Sequence, residues 1–380
     1  MRKKVLTLQR ILEKHLRMKT LTIGDLKAQV PIIQGGMGVG ISLSGLASAV
    51  ANEGGIGVIS CAGLGLLYNK LSSNFGEASI LGLKEELKKA RAKAKEAKGI
   101  IGVNIMVAMT NFADMVKTSI AEKADIIFSG AGLPLDLPSF LPEGSKTKLV
   151  PIVSSARAVR IICEKWHSQY NYLPDAVVVE GPKAGGHLGY KENQITDEAY
   201  SLEEILPQVV YEVSLFEAKF NKKIPVIAAG GIYTGADIYR MMELGASGVQ
   251  LGTRFVTTDE CDASYAFKEQ YLNAKEEDIE IIKSPVGMPG RAIGGSFIQQ
   301  VKEGIKQPKS CPFHCIKTCD ISKSPYCIML ALFNAFKGNF KNGYAFAGSN
   351  AYKANKIMSV KNTISELMKE WKEKELFSKK

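Results

Sequence analysis

Short runs of valine and isoleucine recur through the first two thirds of the chain, and each is followed by a longer amphipathic or alanine-rich run. A strand that is apolar throughout suits burial on both faces of a sheet, and a helix between two such strands returns the chain to lie parallel to its predecessor. The rhythm therefore predicts βαβ units and a parallel sheet. Candidate strands begin near Pro31, Ile56, Ile100, Asp125, Leu149, Asp175, Ile224 and Gly248, which makes eight, the number that closes a (β/α)8 TIM barrel. Val150-Pro151-Ile152-Val153, Ala176-Val177-Val178-Val179 and Val226-Ile227-Ala228-Ala229 typify them. An open doubly wound sheet shares this periodicity, so closure is an expectation carried by the strand count.

After Phe255 the rhythm stops. The expected organisation is a barrel over residues 1–255, an appended and mostly helical subdomain over 256–343, and a C-terminal segment, 344–380, whose helix packs back on the barrel. In that last segment Ile357, Val360, Ile364, Leu367, Met368 and Trp371 fall near one helical face. With 46% hydrophobic and 23% charged residues the chain has the composition of an ordinary globular protein.

The formal net charge is +11, but the excess lysines sit in helix-like stretches over 84–98 and 369–380, where they read as solvated faces. No nucleic-acid module accompanies them. Residues 1–20 are basic with apolar residues at helical spacing, and lack the uninterrupted apolar core of a secretion signal. No apolar run is long enough to span a bilayer, and seven cysteines, an odd number, argue against an extracellular disulfide framework. The expectation is a soluble cytoplasmic protein with no membrane or nucleic-acid partner, compatible with a homodimer.

Two glycine turns stand at the carboxyl ends of the seventh and eighth candidate strands, Gly230-Gly231 and Gly252-Thr253. Barrels commonly build a phosphate site there, because glycine lets backbone N–H groups approach the oxygens and a helix N-terminus adds positive potential. Thr253 contributes a hydroxyl. The first strand ends in Gln34-Gly35-Gly36-Met37-Gly38, where the missing side chains leave room for a flat ring and Met37 can pack on its face. Asn104, ending the third strand, brings a carboxamide that both donates and accepts.

The sixth strand runs into Glu180-Gly181-Pro182-Lys183-Ala184-Gly185-Gly186-His187, the most specific stretch in the chain. A histidine held by a glycine loop at the carboxyl end of a barrel strand is placed for proton transfer, since imidazole titrates near neutral pH. His187 is the candidate catalytic residue, and Glu180, Gly185 and Gly186 join the candidate cofactor-binding set. His15, His167 and His314 receive no catalytic part. Cys311, Cys315, Cys319 and Cys327, spaced Cys-x3-Cys-x3-Cys-x7-Cys, match neither zinc ribbons nor the common ferredoxin pattern. At helical spacing the first three would share a face as buried thiols, and a bound metal or iron–sulfur cluster is the other reading.

Taken in order, Pro31-Ile-Ile-Gln-Gly-Gly-Met-Gly, Gly102-Val-Asn, Ala184-Gly-Gly-His, Ala228-Ala-Gly-Gly-Ile, Gly248-Val-Gln-Leu-Gly-Thr-Arg-Phe and Ser284-Pro-Val-Gly-Met-Pro-Gly-Arg-Ala resemble the nitronate monooxygenase family, formerly the 2-nitropropane dioxygenases. The resemblance spans most of the chain and implies a TIM barrel with noncovalent FMN. It places Asn104, Gly186, Gly231, Gln250, Leu251, Gly252 and Thr253 near the cofactor and His187 beside its ring system. It further implies that an anionic alkyl nitronate and oxygen are converted to a carbonyl compound and nitrite, the histidine orienting the substrate or taking a proton from the neutral nitroalkane. The same motifs are similar to those of flavin-dependent enoyl-acyl-carrier-protein reductases, which take hydride from NAD(P)H. Two features depart from the family: Lys183, where many relatives carry an acidic residue, and the cysteine-bearing tail.

Overall fold

The computed structural model describes residues 20–94 and 99–378. The basic stretch 1–19, with its helical spacing and His15, lies outside the described residues, as do 95–98 of the lysine-rich stretch and 379–380.

An antiparallel ribbon comes first, β1 (Leu21–Ile23) with β2 (Leu26–Ala28). Six strands follow, β3 (Ile32–Gln34), β4 (Ile56–Ser60), β5 (Ile100–Met106), β6 (Ile126–Gly130), β7 (Lys148–Val153) and β8 (Val177–Glu180). After the two-residue β9 (Gly186–His187) come β10 (Val226–Ala229) and β11 (Gly248–Leu251). β3 to β8 with β10 and β11 close into an eight-stranded parallel barrel, β11 pairing back onto β3. The expected TIM barrel is therefore the observed one, and each strand starts within about two residues of its sequence-read position.

Burial on both faces explains the unbroken valine and isoleucine runs. Ile33, Val58, Phe128, Val150, Val178 and Ile227 turn inward, where Leu21, Ile23 and Ala28 of the ribbon join them. The outward residues meet the helices that connect the strands: α1 (Ser44–Asn52), α2 (Leu64–Leu67), α3 (Phe75–Lys93), α4 (Phe112–Ala121), α5 (Ala156–Tyr170), α6 (Leu202–Phe220), α7 (Gly235–Glu243) and α8 (Thr253–Val256). Helix starts carry their own signals: Asn74 accepts the Glu77 N–H at 3.0 Å, and Thr234 and Asp237 form a capping box.

Beyond the barrel lie α9 (Tyr265–Asn273), a hairpin of β12 (Ile279–Lys283) and β13 (Pro289–Ile293), α10 (Ser296–Lys302), α11 (Ile328–Phe336) and the terminal α12 (Val360–Ser378). The appended part is helical, as expected, in α9, α10 and α11, and the hairpin adds to it, for β13 pairs with β9 and so continues a sheet begun in the barrel's sixth loop. The helical reading of the cysteines fails. No helix covers 311–327, where Pro312, Pro325 and a positive φ of 43° at His314 break regular structure, so the thiols share no helical face.

α12 packs on α7 at very close range: a Cβ on Gly235 would stand 2.2 Å from the Leu367 carbonyl oxygen. Glu370 accepts the Gly235 N–H at 2.6 Å and Glu366 pairs with Arg254 at 3.0 Å, so the terminal helix caps one barrel helix and neutralises the start of the next. A second long-range cap holds α1, whose own N-cap, Leu43, has no side chain to offer. The Asp262 carboxylate instead accepts the N–H groups of Leu43 (2.8 Å), Gly45 (3.1 Å) and Leu46 (3.1 Å). Asp262→Ala leaves these donors poorly satisfied and lowers stability by about 2 kcal/mol. Thermal melting of the flavin-bound protein checks this, an unchanged midpoint contradicting it.

Candidate active site

The carboxyl ends of the barrel strands surround a cavity. β8, β10 and β11 end in register, with Glu180 beside Ala229 and Ala229 beside Gln250, while β4 and β5 set Ser60 beside Asn104. Gly35, Gly36, Met37, Asn104, Glu180, Gly185, Gly186, His187, Gly230, Gly231, Gln250, Leu251, Gly252 and Thr253 all line this cavity, so the structure brings together every site residue proposed from sequence. Lys183 stands at its rim, exposed and with no carboxylate at ion-pair distance among the described residues.

Glycine is required here for two distinct reasons. At Gly36 a Cβ would lie 2.3 Å from the Cβ of Asn104, so the first loop can approach the third strand only without a side chain. Gly230 has φ of +92° and would place a Cβ 2.7 Å from the Gly181 carbonyl oxygen, which combines a left-handed backbone with a close approach. Both turns thereby present backbone to the cavity. Gly252 heads α8, and the Thr253 hydroxyl accepts the Gly348 N–H at 3.0 Å while its own hydrogen stays available.

His187 is fixed by residues that sequence reasoning left without a role. β9 pairs with β13 so that His187 faces Gly290, and Leu188 donates to the Pro289 carbonyl at 2.8 Å. His187 Nε2 lies 2.7 Å from Ser284 Oγ, and the ring packs edge-on against Phe346 at 5.0 Å. The buried Arg291 guanidinium donates to the carbonyls of Pro182 and Ala184 and clamps the loop from behind. Ser284 and Arg291 belong to a stretch already singled out by resemblance, which was the available signal; Phe346 had none.

Desolvation sets the charge of the site. Burial holds the His187 imidazole down at about 4 and pushes the Glu180 carboxyl up to about 7. At neutral pH the imidazole is therefore uncharged and the carboxyl is near the midpoint of its titration.

This geometry coincides with the comparisons to known proteins. Residues 19–370 match the model of the family described as nitronate monooxygenase. The chain belongs to the nitronate monooxygenase family. It is 27% identical over 309 residues to a probable nitronate monooxygenase of Staphylococcus saprophyticus, covering 76% of this chain and 82% of that protein. It is also 27% identical to the (3aS,4S,5R,7aS)-5-hydroxy-7a-methyl-1-oxo-octahydro-1H-indene-4-carboxyl-CoA dehydrogenase of Mycobacterium tuberculosis, over 77% of this chain and 70% of that one. Among solved structures it resembles FabK from Thermotoga maritima with a TM-score of 0.69 and 27% identity, covering 92% of this chain and 95% of the other.

Membership in the nitronate monooxygenase family makes the chain an oxidoreductase and a flavoenzyme. The cavity fits a flavin on its own evidence. Its floor is bare backbone at Gly35, Gly36, Gly230 and Gly231, where added side chains would collide with the walls or distort the turns, and its polar groups are concentrated at the strand ends.

Proposed function

We propose that this chain is an FMN-dependent nitronate monooxygenase, acting on small anionic alkyl nitronates with oxygen to give a carbonyl compound and nitrite. The observation that carries the reading is His187, held at the cavity by Ser284 and Phe346 in a chain of the nitronate monooxygenase family, with the exposed Lys183 beside it. An imidazole held down at about 4 is a weak base at pH 7 and a serviceable hydrogen-bond donor. A nitronate, already deprotonated, needs a donor and a nearby cation rather than a base.

In this reading the turns Gly230-Gly231 and Gly252-Thr253 hold the FMN phosphate, with Gln250 and Leu251 beside them. Gly35, Gly36, Met37 and Asn104 lie along the ring, and Glu180, Gly185 and Gly186 border it. Bound FMN supplies the redox chemistry. His187, steadied by Ser284 and Phe346, donates to a nitronate oxygen, and Lys183 draws the anion in. Residues 1–255 then carry the cofactor, 256–343 wall the substrate side, and 344–380 fasten the two together. In this reading the protein works in the cytoplasm; among the described residues no helix is long and apolar enough to cross a membrane, and no cysteine is in a disulfide.

Release of nitrite with uptake of oxygen on adding preformed alkyl nitronates tests the proposal. Turnover of an enoyl thioester with NAD(P)H, and none of nitronates, would instead favour the reductase reading. The pH dependence supplies a further check. As pH rises through about 7, Glu180 gains a negative charge inside the cavity, so the KM for a preformed nitronate rises. Glu180→Gln removes that rise; a KM that climbs equally in the variant would assign it elsewhere.

A further inference from the structure

The loop 307–327 belongs to no part of the site described above, yet it is folded closely against it. Thr110 donates to the Cys315 carbonyl at 3.2 Å, Lys317 donates to the Ala108 carbonyl at 2.9 Å, and Ile316 bridges Met109, which docks the loop along the chain leaving β5. The Cys319 N–H turns back to the Ile316 carbonyl, and its sulfur meets Ser324 Oγ at 3.2 Å. Cys315, Cys319 and Cys327 pack into one apolar cluster with Tyr326, Ile328 and Met329. Three of the four thiols thus share one packed cluster, and Cys311 stands four residues before Cys315 on the same docked loop.

Cys327 is the N-cap of the nine-residue α11, and no side-chain hydrogen bond closes that cap. The first N–H groups of a helix favour negative charge on a group held beside them. The surrounding sequence is cationic: between 306 and 327 stand Lys306, Lys309, Lys317 and Lys323 against Asp320 alone. Among the described residues no three of His, Cys, Asp and Glu come together as a site for a metal ion.

We propose that Cys311, Cys315, Cys319 and Cys327 ligate an iron–sulfur cluster of the [4Fe–4S] type on the flank of the flavin cavity. Four cysteine thiolates are its ordinary ligand set, and N–H groups directed at sulfur and solvent exclusion are the usual means of tuning it. α11 sets its position. Cys327 caps this helix and Leu332 lines the cavity five residues on, about 7.5 Å along the axis at 1.5 Å per residue. The cluster thus stands beside the cofactor and ties the appended loop to the barrel.

The test uses the full chain with its flavin, purified without oxygen from iron-supplied cells. Chemical analysis should find about four iron and four inorganic sulfide per chain, and reduction with dithionite should give a paramagnetic signal distinct from a flavin radical. Cys319→Ala and Cys327→Ala lose both, whereas Cys163→Ala, a buried thiol on α5, retains them. Protein stripped of iron regains the signal when incubated with ferrous iron and sulfide. One zinc per chain in place of iron, or four freely titrating thiols that take up no iron on reconstitution, overturns the proposal, and the wild-type analysis decides this even if the variants fold poorly.

Discussion

His187→Ala keeps its flavin and loses roughly 10²–10³-fold in kcat/KM towards preformed nitronates, the usual cost of removing one preorganised donor from a desolvated site. The size of the effect follows from how the side chain is held. Ser284 fixes one ring nitrogen at 2.7 Å and Phe346 packs against the ring, so the remaining face is oriented before substrate arrives. Flavin retention is expected because none of the glycine turns is altered. His187→Asn separates two roles: a carboxamide can donate but cannot take a proton, so partial recovery identifies hydrogen bonding as the contribution. Rates for the alanine variant equal to wild type would remove His187 from the chemistry.

Gly230→Val yields a folded protein without its yellow colour. A side chain at this residue meets a left-handed backbone, which costs about 1–2 kcal/mol for an L-residue, and its Cβ would lie 2.7 Å from a main-chain oxygen that cannot move aside freely. The strain is relieved by shifting the turn away from its approach to the phosphate. A loss of about 3 kcal/mol in cofactor binding weakens FMN affinity roughly 10²-fold, enough for the cofactor to wash out during purification. Absorbance at purification and FMN titration of the apoprotein measure it, with circular dichroism confirming the fold. Wild-type flavin content would show that this turn does not hold the cofactor.

The barrel was legible because its signal is local and repeated. Each parallel strand is buried on both faces, so Val177 to Val179 and Val226 to Ala229 had to be apolar at every position, and strand and site positions fall at predictable ends. The hairpin was not. Ile279, Ile281 and Ile282 give only a short alternation, and β13 owes its place to pairing with a two-residue strand about a hundred positions earlier, a contact with no periodicity to betray it. The cysteines misled for the opposite reason: a spacing of four imitates a helix, but Pro312, Pro325 and the docking onto Met109 and Thr110 decide the loop's course. Phe346 likewise reaches the site through long-range contacts, a backbone bridge to Ala292, ring packing against His187 and Tyr344, and a carbonyl that accepts the Tyr271 hydroxyl.

The central claim, that this flavin barrel oxidises nitronates, is tested most directly by mixing the purified flavoprotein, without oxygen, with propionate 3-nitronate and, separately, with NADH or NADPH. The account predicts that the flavin absorbance bleaches with the nitronate and persists with either pyridine nucleotide. Rapid bleaching by NADH or NADPH with no response to the nitronate would contradict it.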